Sequence, residues 1–169
     1  MLFSRWTLWQ TILIGMLGML AFVAEQFNQV IAVPMISSHA HSLLPAILTI
    51  LFLALIVGIF SLIIRLELKK NPTIFTSRFW DKAPLILIIF LVLSLVLYIT
   101  GFMMDPFRDL LQRYRLSLYL ILYYFLLLVN LLVLATVQKV KGNTISGEKK
   151  IGMSFFGTML FLVVTIFII

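Results

Sequence analysis

The chain contains no cysteine, which excludes disulfide bonds, thiolate metal sites and a cysteine nucleophile. Charged side chains are also scarce, at 11% of 169 residues, and only six of them are acidic. No Asp, Glu, Lys, Arg or His lies near the middle of any long apolar run. Such buried charges mark proton relays, ion-coupled carriers and voltage sensors, so the sequence argues against these three functions.

Several motifs of catalysis and cofactor binding are absent as well. The chain has no Walker phosphate loop, no G-x-S-x-G, no H-E-x-x-H and no C-a-a-X terminus. It also lacks the paired, Gly/Pro-broken apolar segments that are typical of inverted-repeat transporters. A haem between helices would need axial ligands, whereas both histidines lie in one loop. We therefore expect no cofactor.

Apolar side chains dominate what is present, with 63% hydrophobic residues and a mean hydropathy of +1.17. Such a composition is typical of a protein embedded in the lipid bilayer, where a helical span needs about 20 apolar residues. We predict an all-α bundle of about five transmembrane helices that forms a single domain over residues 1–169. We expect the first span to be retained, because Phe22 is bulky where a signal-peptide cleavage after Ala24 needs a small residue. The predicted spans are 6–24, 43–64, 83–103, 116–138 and 151–169.

The basic residues predict the orientation, because cytoplasmic loops carry an excess of Lys and Arg. Ten lie on the side of the N-terminus and of the 65–82 and 139–150 loops, against three in the 104–115 loop on the other side. This places the N-terminus in the cytoplasm and the C-terminus outside. The basic residues flank apolar runs, which indicates anionic lipid headgroups as partners and not nucleic acid. Short loops and the lack of cysteine favour a bacterial plasma membrane.

The 105–115 segment has the pattern of a short amphipathic helix at the outer interface. Asp105 can cap it, Pro106 suits its first turn, and apolar residues recur from Phe107 to Tyr114 at helical spacing. Arg108 and Arg113 lie on the polar face. Their guanidinium groups suit a phosphate or lipid headgroup as ligand, although a solvated helix face is the simpler interpretation.

The most distinctive polar cluster in the loops comprises His39 and His41, on the predicted outer side together with Asp105 and Asp109. Two imidazoles and carboxylates can bind a divalent metal or carry acid–base catalysis. No third ligand lies nearby in the sequence, so interfacial histidines are the favoured interpretation and no metal site is predicted.

Asn130 is the one strongly polar side chain deep in a predicted span, and Tyr123 lies two turns earlier on the same face. An asparagine at this depth usually bonds a neighbouring helix. Together with Tyr124, these residues are also the candidates for lining a ligand pocket.

Two features suggest contact with a partner protein. Gly15 and Gly18 share a face of the first span, and small residues let helices approach closely. The neighbour is either another span of this chain, which is the default, or a different membrane protein. Phe79 and Trp80 follow Phe75 among charged residues, which fits an interfacial anchor or a docking segment.

Three functions remain open. The preferred hypothesis is a non-enzymatic subunit or regulator of a larger membrane complex. The first alternative is a small-molecule transport component that uses Asn130, Tyr123 and Tyr124. The second is an interfacial enzyme acting on a lipid-linked substrate, with His39 or His41 as base and Arg108 or Arg113 on phosphate.

Overall fold

The computed structural model of the chain describes residues 5–26, 43–114, 116–142 and 144–168. These residues form six α-helices and, between the second and the third, one 3₁₀ turn at Ile74–Thr76. Five helices are long and apolar enough to cross a membrane, which confirms the predicted all-helical class and the number of spans. The helices are α1 Arg5–Gln26, α2 Leu43–Lys70, α3 Phe79–Phe102, α4 Asp105–Arg113, α5 Leu116–Lys141 and α6 Gly147–Ile168.

Several helices are longer than their apolar runs. The predicted second span ends at Ile64, but α2 continues to Lys70, and α5 continues past Gln138 to Lys141. The extra residues include Arg, Leu, Glu and Lys, which are good helix formers. Lys69 and Lys70 of α2 and Lys139 and Lys141 of α5 also lie in the last helical turn, where they interact favourably with the helix dipole.

The centre of the bundle is built by α1, α2, α5 and α6. Helix α2 packs against α1, α5 and α6, while α5 packs against α1 and α6 as well. Their shared apolar cluster includes Leu17, Ile56, Val57, Phe60 and Tyr123, all of them buried. Helix α3 lies outside this group and packs against α5 and the short α4. Apart from Ala83 and Pro84 near its start, its residues are partly or fully exposed, so most of its surface is open to lipid.

A second apolar cluster closes the bundle at the end where α2 and α5 terminate and α6 begins. Phe75 of the 3₁₀ turn is buried there against Leu134 and Ile151. The side-chain Nε2 of Gln138 donates a hydrogen bond to the Phe75 carbonyl at 2.8 Å. The Nζ atom of Lys150 lies 5.4 Å from the centroid of the Phe75 ring, within the range of a cation–π interaction.

The predicted amphipathic segment is present as a helix, α4, and it ends at Arg113. Met104 occupies the cap position in place of Asp105, which is the first helical residue. The ring of Phe107 lies against Gly101 at the end of α3, where a Cβ atom would stand 3.3 Å from the ring. The absence of a side chain at Gly101 thus lets α4 fold back onto α3.

Candidate functional site

A polar cluster joins α5 to α6 inside the bundle. Asn130, Ser154 and Thr158 are all buried. The Ser154 hydroxyl lies 2.9 Å from both the backbone carbonyl and the Oδ1 atom of Asn130, and the Thr158 hydroxyl donates to the same Oδ1 at 3.3 Å. Within the described residues, Asn130 Nδ2 has no hydrogen-bond partner. The asparagine therefore bonds a neighbouring helix, as an asparagine in a membrane usually does.

The two tyrosines predicted beside Asn130 connect α5 to other helices. The hydroxyl of Tyr123 is buried and donates to the Leu17 carbonyl of α1 at 3.0 Å. The hydroxyl of Tyr124 lies 2.6 Å from the Ser94 hydroxyl of α3, and its side chain is 44% exposed. The three candidate ligand residues thus bond three different helices instead of facing a common pocket.

The candidate phosphate-binding arginines lie on α4. Arg108 is exposed and pairs with Asp105, with 2.5 Å between Nη2 and Oδ1. The guanidinium of Arg113 lies 5.9 Å from the ring centroid of Tyr114. The candidate bases His39 and His41 lie outside the described residues. Among the residues that are described, no group of three or more His, Asp or Glu could hold a metal ion.

The two glycines of α1 point away from the bundle. Both glycines are exposed; Gly15 lies opposite the buried Leu17, and Gly18 lies at the border of the buried face, three residues before Ala21. A Cβ atom at either glycine would meet no atom of the described chain within 4 Å. The neighbour expected for this face is therefore not among the described helices.

The aromatic pair Phe79 and Trp80, at the start of α3, divides between surface and interior. Phe79 is exposed. Trp80 is partly buried, and its indole Nε1 donates to the Ile74 carbonyl at 2.7 Å while its ring packs 5.1 Å from that of Phe75. Sequence reasoning treated Phe75 as a third interfacial aromatic, but this side chain is buried. Of the three, Phe79 offers the most surface to another molecule.

An open apolar groove of about 920 Å³ runs along α2, between α1 and α6. Its lining includes Ala54, Gly58 and Gly152, where a methyl group or no side chain leaves space in the groove. Arg65, Glu148 and Lys149 lie at one end of the groove. The Arg65 guanidinium donates from Nε and Nη2 to the Glu148 carboxylate at 3.2 and 2.9 Å, respectively. The groove is thus apolar along its length and charged at one end.

Sequence reasoning missed Ser154, Thr158 and the pair Arg65 and Glu148. A signal existed for the first two, because residues four apart share a helical face and both carry hydroxyls at the depth of Asn130. Arg65 follows the second apolar run and Glu148 precedes the fifth, so both lie on the same predicted side of the membrane. Their opposite charges are compatible with an ion pair. The sequence held no signal that α2 and α6 are neighbours.

Three features of the described residues bear on function: the groove, the outward face of α1 and the polar cluster between α5 and α6. Comparison of the chain with protein-family models, curated proteins and solved structures found no match.

Proposed function

We propose that the protein is a non-enzymatic subunit or regulator of a larger membrane complex, and that it binds another membrane protein through the outward face of α1. This partner face comprises Thr11, Gly15 and Gly18, which are all exposed. The observation that carries the proposal is the open space around both glycines. Small residues allow close backbone approach between helices in a membrane, where such packing is a main source of association.

The polar groups inside the bundle support the same proposal. Asn130 Oδ1 accepts from Ser154 of α6 and the Tyr123 hydroxyl donates to Leu17 of α1, so both groups bond other helices of this chain. A transport component would need such groups to face a ligand cavity. The lining of the groove includes neither of them. A function exerted through the outer surface of the bundle therefore fits these contacts better than one exerted through an internal ligand site.

We further propose a membrane topology for this subunit. The N-terminus, the 65–82 loop and the 139–150 loop face the cytoplasm, and α4 lies at the outer interface of a bacterial plasma membrane. The support is the distribution of Lys and Arg, ten against three between the two sides. For α4 it is the exposed Leu110 and Tyr114, which can enter the headgroup region beside the polar face.

Cysteine labelling tests this topology directly, because the native chain has no cysteine to interfere. With a membrane-impermeant maleimide on intact cells, we expect Arg113→Cys to be labelled and Lys141→Cys to be labelled only after lysis. Both native side chains are exposed, so accessibility within the fold is matched. The opposite pattern would reverse the proposed orientation.

Purification from native membranes in mild detergent, followed by native mass spectrometry, tests the subunit proposal. We expect a second membrane protein in stoichiometric amount with the parent chain. Gly15→Leu or Gly18→Leu places a bulky side chain in the partner face, so the partner should be lost from the purified protein. We expect the affinity for the partner to fall at least about tenfold, and tenfold corresponds to about 1.4 kcal/mol. The open space around both glycines lets the variants keep the fold.

Thr100→Leu provides the matched control. It adds a similar side chain at an exposed position of α3, on a different side of the molecule, and should retain the partner. A parent chain that is released as a lone monomer would contradict the proposal. A mass of two copies of this chain would show self-association and would contradict it as well.

A further inference from the structure

We propose that the groove between α1, α2 and α6 binds an anionic phospholipid, with the acyl chains along its apolar walls and the phosphate at Arg65 and Lys149. The site is separate from the partner face of α1. Leu13, Met16 and Leu20 line the groove, whereas Gly15 and Gly18 point to the opposite side of the same helix.

The shape of the groove fits acyl chains. Its lining on α2 extends from Leu51 to Arg65, which corresponds to about 21 Å along the helix axis. That is about two thirds of the roughly 30 Å thickness of a hydrocarbon core. Each leaflet contributes about half of that thickness, so the acyl chains of one phospholipid fit within the length of the groove.

The charged end of the groove provides the polar part of the site. Arg65 and Lys149 carry two positive charges against the single negative charge of Glu148, so this end keeps a net positive charge. The Arg65 and Glu148 side chains are 48% and 49% exposed, which leaves their ion pair accessible to a headgroup. Arginine and lysine are the usual ligands of phosphate oxygens, and basic pockets between transmembrane helices bind anionic headgroups.

Ser61 adds an independent observation. It lines the groove one helical turn before Arg65. Its hydroxyl oxygen is buried and has no hydrogen-bond partner among the described residues. A buried hydroxyl gains stability from a partner, and rotation of the Ser61 side chain toward the groove would bring it to the ester oxygens of a phospholipid whose phosphate binds Arg65, one helical turn away. Ser61 thus matches the expected transition from headgroup to acyl chains.

The test uses the full chain in detergent, native mass spectrometry, and two lipids with the same acyl chains, phosphatidylglycerol and phosphatidylcholine. We expect the parent to bind phosphatidylglycerol about tenfold more tightly, which corresponds to about 1.4 kcal/mol. The double variant Arg65→Gln/Lys149→Gln should lose this preference. The control Lys139→Gln removes one charge from an exposed position at the end of α5 and should keep it.

A second variant tests the apolar part of the site. Gly152→Leu should weaken the binding of both lipids, because its side chain would project into the groove, where a Cβ atom meets nothing within 4 Å. Equal binding of the two lipids by the parent would overturn the proposal. So would tight phosphatidylglycerol binding by Gly152→Leu, or by the double variant. Gly15→Leu should leave lipid binding unchanged, because Gly15 does not line the groove. The lipid proposal and the subunit proposal can therefore fail independently of each other.

Discussion

Replacing Gly157 by leucine is expected to destabilise the bundle by about 1–3 kcal/mol. Gly157 lies on α6, and a Cβ atom there would be 2.9 Å from Cγ1 of Val133 on α5. Valine is branched at Cβ and has little rotamer freedom in a helix, so it cannot move aside without cost. The leucine would force α5 and α6 apart along their contact.

The matched control is Gly152→Leu on the same helix, where the new side chain meets open space. Reversible unfolding in mixed detergent micelles, followed by the fluorescence of the three tryptophans, measures the free energy of unfolding. Gly152→Leu should unfold as the parent does in the absence of added lipid. Equal stability of the two variants would contradict close packing of α6 against α5 at Gly157.

Asn130→Leu is expected to lower the free energy of unfolding by about 1 kcal/mol, because hydrogen bonds between membrane helices contribute about 0.6 kcal/mol on average and at most about 1.7 kcal/mol. The substitution removes the Oδ1 atom that accepts from Ser154 and Thr158. The Ser154 hydroxyl keeps the backbone carbonyl of residue 130 as an acceptor, which limits the loss. The same unfolding measurement detects it.

A double-mutant cycle with Ser154→Ala isolates the bond. The two substitutions should be less than additive, because each removes the same contact. Thr136→Leu is the control on α5, since its exposed hydroxyl bonds only the backbone of its own helix, at Leu132, and its replacement should have little effect. An Asn130→Leu variant as stable as the parent would instead favour the transport alternative, in which Asn130 serves a ligand.

The sequence predicted the spans well because crossing a bilayer is a local property. A helix satisfies its own backbone hydrogen bonds, so a run of apolar side chains of sufficient length is enough to identify it. The ends were less predictable, as in α2, because charged helix formers such as Arg65 and Lys69 continue a helix into the headgroup region.

Candidate residues were harder to place than helices. Asn130 was expected to bond a neighbouring helix, and it does, but the sequence did not say that the helix would be α6. The spacing of Gly15 and Gly18 predicted a close approach without showing on which side of α1 the bundle lies. Phe75 was expected at the surface because its neighbours in the sequence are charged, yet it is buried against Leu134 and Ile151.

The amino-acid pattern alone determines that this chain is an all-helical membrane protein with five long apolar helices. The arrangement of these helices depends on tertiary structure, which pairs α2 with α6, leaves α3 at the edge and opens the groove that ends at Arg65. The physical reason is that lipid chains are as apolar as the interior of the bundle. Each span is therefore apolar on most sides. Apart from Asn130, Ser154 and Thr158, which lie where α5 meets α6, no polar face distinguishes the side that packs from the side that meets lipid.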